Sequence, residues 1–313
     1  MRGFRFLAEP GAVVDGKALA EKARRAESIG YDVLVVSDHL LDQFAPIPAM
    51  ATIAAATDKL RIGTFVFNND LRHPAVLAQD LATLDILSGG RLEIGIGAGW
   101  NKPEYDEIGL PFESGPTRVA RLEESIAVLK GMFGDGPFSF AGSHYTIRDR
   151  DGRPKPVQRP HPPLMIGGGG RLVLSLAGRE ANTVSLAPRL GKDGRGDPAS
   201  LTFPATAEKI RWVREAAGDR FGDLEFNVYP SGTPPVVTDH ARQEIAKVRE
   251  RLLARSGQEV SEDDLLESPH VFIGSIDGLV DKFWALRERL GISSIMVGDI
   301  EALAPVVERL AGT

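Results

Sequence analysis

Three times along the chain an amphipathic helical stretch ends at glycine and, within a few residues, an apolar run rich in β-branched residues begins. Leu19, Ala23 and Ala26 lead to Gly30 and then Val33-Leu34-Val35-Val36; Leu84 and Leu87 lead to Gly89-Gly90 and then Leu92-Glu93-Ile94; Leu286 and Leu290 lead to Gly291 and then Ile295-Met296-Val297. A glycine just past a helix takes the left-handed conformation without a Cβ penalty, so the return to the next strand is short. Such returns make neighbouring strands parallel. Strand candidates fall at 4–8, 33–37, 61–67, 92–97, 164–167, 183–187, 224–229 and 293–297, with helical stretches between them. These units make either an open doubly wound sheet or a closed barrel. No Gly-rich dinucleotide turn follows the first strand, and this favours an α/β fold of the (β/α)8 TIM-barrel kind.

A chain of 313 residues with 42% hydrophobic and 26% charged residues is long enough for one such barrel, and a single domain spanning 1–313 is the expectation. Two stretches exceed simple units. One, at 134–163 after the fourth strand, carries Gly, Pro and charge without helical period; the other, at 239–269 after the seventh, adds a charged helix and an acidic turn. A formal charge of −6 with no basic block leaves no footprint for nucleic acid or an anionic membrane. The absence of cysteine excludes disulfides, thiolate nucleophiles, zinc–thiolate sites and iron–sulfur clusters. The opening ten residues lack the basic and apolar regions of a secretory signal, so a cytoplasmic location is expected.

An α/β barrel builds its site from the loops that follow its strands. There the second strand ends in Ser37-Asp38-His39, an imidazole able to move a proton near neutral pH beside a carboxylate able to hold it. A loop-starting hydrogen bonder is the other reading of that pair. The fourth strand runs Gly95-Ile96-Gly97-Ala98-Gly99-Trp100, where alternating glycine marks either the close approach of a flat ligand or a small-residue layer of the barrel. The fifth enters Gly167-Gly168-Gly169-Gly170 directly before a helix, an arrangement whose amides suit a phosphate and whose four glycines also suit a plain flexible turn. Hydrolysis fits poorly: Glu9 and Glu104 follow the first and fourth strands, but no His-x-His metal pair exists, and no metal site is expected. His73 reads as part of a helix start, His144 and His161 as insertion residues, His240 as exposed, and the charged run 242–255 as a solvated helix face.

Taken together, Ala26-Glu27-Ser28-Ile29-Gly30-Tyr31-Asp32, Ser37-Asp38-His39, Arg72-His73-Pro74, 84–91, 95–100, Gly167-Gly168-Gly169 and Ile273-Gly274-Ser275 resemble the bacterial luciferase-like superfamily over nearly the whole chain. Within it the chain is similar to the oxidoreductases that use the deazaflavin coenzyme F420. The resemblance implies hydride exchange between F420 and a small organic substrate, with an FMN-dependent monooxygenase as the alternative and a non-catalytic flavin or deazaflavin carrier as a third reading. It implies His39 as catalytic acid or base beside the ring, with Asp38 at the cofactor's edge. It also implies a non-prolyl cis bond between Phe65 and Val66 backing the ring, backbone contacts from Ala98 and Gly99, and phosphate contacts from Gly167 through Gly170. Relatives of this kind are often homodimers. Two departures bear on substrate: Asn68-Asn69-Asp70 stands where prolines are common, and Trp100 stands where the glucose-6-phosphate enzymes carry a proton-donating carboxylate. Nor is there a placed basic cluster for a phosphorylated sugar, since Arg189, Lys192 and Arg195 sit in a loop without an anchoring element.

Overall fold

The computed structural model describes residues 2–191, 194 and 196–313. Its barrel strands are β1 (Arg5–Glu9), β2 (Val33–Val36), β3 (Arg61–Thr64, resumed at Phe67–Asn68), β4 (Leu92–Gly97), β5 (Leu164–Gly168), β6 (Thr183–Leu186), β7 (Glu225–Val228) and β8 (Ile292–Asp299). All neighbouring strands are parallel. The ring closes because β1 pairs with both β2 and β8, and β3 pairs with both β2 and β4. This is the (β/α)8 barrel expected from the short glycine-ended returns. Gly30 and Gly291 end their helices with φ of 100° and 70°, in the left-handed region where only glycine sits freely.

One strand departs from its expected span. The third, read as continuous over 61–67, breaks at the cis Phe65–Val66 bond; its ladder with β2 stops at Thr64 and its ladder with β4 resumes at Phe67 opposite Ile96. The β4 glycines make room for this bulge. A Cβ on Gly95 would strike the Thr64 carbonyl, and one on Gly97 would lie 2.9 Å from Val66 Cγ2.

The two ends of the barrel are built differently. At the N-terminal end Arg5 bridges Glu93 at 2.5 Å and Glu225 at 2.7 Å, Arg61 meets Glu93 at 2.5 Å, and Thr183 donates to Glu225 at 3.0 Å. Above this seal Leu7, Val33, Val35, Met165 and Met296 fill the interior, capped toward the C-terminal mouth by Phe65, Val66 and Tyr229.

The stretch at 134–163 holds an antiparallel hairpin, Pro137–Ala141 with Thr146–Asp151, instead of irregular chain. It joins a helix to β5, so its base lies toward the sealed end, where Gln158 donates to Asp85 and accepts from Arg61. Its turn is tied to the helix Gly115–Phe133 by Glu124, which accepts from the amides of Ser143, His144 and Tyr145. The stretch at 239–269 contains the helices Ala241–Ser256 and Glu262–Glu267; with Val236–Val237 paired to Ile273–Gly274 it forms a small core of its own around Ile245, Val248, Leu252 and Leu265.

Candidate active site

β2 to β5 are consecutive around the ring, so the loops after them share one arc of the mouth. His39 follows β2, and its Nδ1 lies 2.8 Å from Oε1 of Glu104, in the first turn of the helix Lys102–Ile108. Glu104 is 4% exposed and also accepts from the Asn101 amide. With a carboxylate on Nδ1, that nitrogen carries the proton and Nε2 is left to exchange one. The indole of Trp100 stands edge-on to the imidazole, ring centroids 5.5 Å apart. Glu9, at the end of β1, has its carboxyl held above the ordinary range by burial, an effect His39 opposes.

Asp38 sits beside His39 with its charge matched. Arg72 grips it with two nitrogens at 2.6 and 3.0 Å, and the amide of Asn68 donates to the same carboxylate at 3.0 Å. This geometry ties the end of β2 to the end of β3 in a charge-assisted, two-pronged contact. Below it, Phe65 and Tyr229 meet edge-to-face at 5.3 Å, so the cis bond expected between Phe65 and Val66 is present and lies in the apolar floor of the mouth.

For the glycines of the fourth strand the distances show what stands where a side chain would be. Gly99 has φ 75°, and a Cβ there would strike the Tyr105 hydroxyl and lie 2.7 Å from Asn68 Oδ1. Gly95, Gly97 and Gly99 are thus all small because protein atoms crowd them. Tyr105 shares its hydroxyl between Asn68 and Asp70, and Asp70 pairs with Arg121 at 3.1 Å, which fixes the loop that stands where prolines are common.

The run from Gly167 to Gly170 bends over β6. Gly168 accepts from the Ala187 amide at 2.9 Å, and a Cβ on Gly169 would lie 2.5 Å from the Pro188 carbonyl and 2.7 Å from that of Ala187. Gly170 begins the helix Arg171–Glu180 with no side-chain cap and open space where its Cβ would be. The first-turn amides of a helix have no intrahelical acceptor, so this end presents donors and a positive dipole to an anion.

Arg72 and Glu104 went unassigned in the sequence; the signals were Arg72-His73-Pro74 beside a buried Asp, and a lone Glu in a helix's first turn. No pattern in the sequence marks His270. It is wholly buried, donates through Nδ1 to the Tyr229 carbonyl at 3.2 Å, and leaves Nε2 without a hydrogen-bond partner. Burial, with Lys209 and then Lys282 nearby, pushes its pKa down to about 3, so it is neutral. His73 does start a helix, accepting from the Ala75 amide at 3.2 Å. Arg189 is exposed after β6, while Lys192 and Arg195 lie outside the described residues. Among the described residues no group of three His, Asp or Glu is placed to hold a metal ion, and no helix is long and apolar enough to cross a membrane.

Residues 4–194 match the family model for the luciferase-like monooxygenase. The chain belongs to that family. It is 36% identical over 138 residues to the FMNH(2)-dependent dimethylsulfone monooxygenase of Pseudomonas putida, covering 44% of this chain and 38% of the relative. It is 35% identical over 186 residues to the F420-dependent glucose-6-phosphate dehydrogenase of Beutenbergia cavernae, covering 53% and 55%. The chain thus spans about half the length, or less, of these two relatives. Among solved structures the coenzyme F420 dependent tetrahydromethanopterin reductase of Methanopyrus kandleri superposes with a TM-score of 0.75 at 21% identity, over 99% of this chain and 98% of that one, a likeness of fold.

Proposed function

We propose that the chain is an oxidoreductase that exchanges a hydride between coenzyme F420 and a small organic substrate. The observation that carries this reading is the grouping, at the C-terminal mouth of one barrel, of an oriented imidazole, an apolar floor and an uncapped helix N-terminus. The open Gly170 cap suits the cofactor's phosphate, and the Phe65, Val66 and Tyr229 floor suits a flat ring. When bound, F420 supplies the hydride chemistry. The chain supplies the rest. His39 Nε2 gives or takes the accompanying proton while Glu104 holds the ring in place. Asp38, with the Arg72 it grips, stands at the cofactor's edge. Phe65 and Val66 back the ring, Ala98 and Gly99 line it through the backbone, and the amides of Gly167, Gly168, Gly169 and Gly170 hold the phosphate.

The likeness to F420-dependent glucose-6-phosphate dehydrogenases supports the deazaflavin, but Trp100 in place of a carboxylate argues against sugar phosphate as substrate. An FMN-dependent monooxygenase is the second reading, favoured by the likeness to the dimethylsulfone enzyme. We place the protein in the cytoplasm as a single-domain homodimer, and the exposed Val76, Ile86 and Leu87 on the helix Pro74–Leu87 offer an apolar face for the contact. Titration of the purified protein with F420 and with FMN, followed by cofactor fluorescence, tests the assignment. F420 is expected to bind and FMN to bind far more weakly; tight FMN binding without F420 binding overturns it. Cofactor binding without turnover on a broad panel makes the chain a carrier.

A further inference from the structure

Three observations at the mouth bear on the substrate. First, two carboxylates nearest His39 are matched internally, Asp38 by Arg72 and Glu104 by the imidazole and Asn101, and the third, Glu9, brings no positive charge. No lone cation among these residues is offered to an anionic substrate. Second, Trp100 leaves 48% of its surface uncovered while its ring lies against His39. Third, Leu40 and Leu41, which follow His39 directly, are 48% and 62% exposed. Large apolar side chains grouped beside a proton-exchanging imidazole mark a binding surface more often than an idle one.

Resting on the assignment of F420 chemistry, we infer that the substrate is an uncharged alcohol or carbonyl compound with an extended apolar body, and that Trp100 is the residue that selects it. In the reducing direction reduced F420 would supply the hydride for the carbonyl carbon and be oxidised in doing so, while His39 Nε2 gives its proton to the carbonyl oxygen, so that the carbonyl becomes an alcohol. The oxidising direction reverses each transfer. Trp100 meets the apolar body beyond the reacting carbon, so it sets affinity through contact area.

The test is calorimetric titration of the F420-saturated protein with linear methyl ketones from butanone to nonanone. Each added CH2 buried on the indole tightens Kd by about fourfold until the body outgrows the patch. Trp100→Ala and Trp100→Glu flatten the series, weaken the longest ketones by more than about tenfold, and raise the KM of the longest ketones more than that of butanone. A flat series in the wild type, or an unaltered slope in Trp100→Ala, overturns the inference while the bound cofactor leaves the functional assignment standing. If F420 does not bind, that assignment fails separately. The ketone series is then read on the cofactor-free protein by quenching of Trp100 fluorescence, with Trp100→Phe as control, and a flat response there overturns the inference as well.

Discussion

The two ends of this barrel are made from the same strands and are opposites in electrostatic finish. At the N-terminal end Arg5, Arg61, Glu93 and Glu225 pair with one another across the interior. At the mouth the charges are also matched, in Asp38–Arg72 and His39–Glu104, but the surfaces between them are left open: an indole half uncovered and a helix start without a cap. The difference teaches that paired charge alone does not mark a site. The distinguishing features are the uncapped amides and the bare apolar surface beside a group that exchanges protons. Stability should therefore respond at one end and catalysis at the other.

The sharpest break between the ends is expected at His39. His39→Asn should lower turnover by about 10²- to 10⁴-fold with the F420 Kd nearly unchanged; steady-state kinetics together with a binding titration check this, and unaltered turnover removes His39 from the chemistry. Arg5→Met should do the reverse, costing about 3 kcal/mol in urea unfolding because Glu225 is left buried with Thr183 alone, while cofactor affinity holds. Within the mouth, Gly169→Ala meets two backbone carbonyls and should cost about 1–3 kcal/mol and weaken cofactor binding. Gly170→Ala meets nothing and should fold as the wild type does; equal effects of the two would deny the glycine run its role. Taken per pH unit, the smallest effect is at His270. Its pKa falls from 6.5 to about 3 on folding, so between those values the unfolded chain binds one more proton and stability drops as pH falls. Above pH 6.5 the group contributes no slope. Urea midpoints taken from pH 6.5 downward should lose stability by up to about 1.4 kcal/mol per pH unit from this one proton, and His270→Asn should remove that share.

What was legible in the sequence follows from range. Glycine-ended helices, β-branched runs and the Gly167 to Gly170 turn before a helix are local patterns, and the strands, the closed barrel and the uncapped helix start follow from them. The cis Phe65–Val66 bond was legible through resemblance alone, since nothing in the local composition demands it. The pairings that finish the site were not legible, because Arg72 reaches Asp38 across 34 positions and Glu104 reaches His39 across 65. The glycines of the fourth strand show the same limit. Their local pattern allows a flat ligand or a small-residue barrel layer, and the groups that crowd them, the Thr64 carbonyl, Val66 and Tyr105, lie outside the strand. The hairpin at 137–151 escaped notice because its strands lie on the surface, where Phe138 and Phe140 alternate with exposed residues and charged positions hide the period.

The central claim is that one ligand touches four strand ends at once, and a crystal structure of the protein grown with F420 tests it most directly. The account predicts the deazaflavin ring over the Phe65–Val66 bond with His39 Nε2 within hydrogen-bond reach of the reacting face, and the phosphate on the amides after Gly168. Density for F420 elsewhere on the barrel, or a phosphate away from the Gly170 helix start, would contradict it.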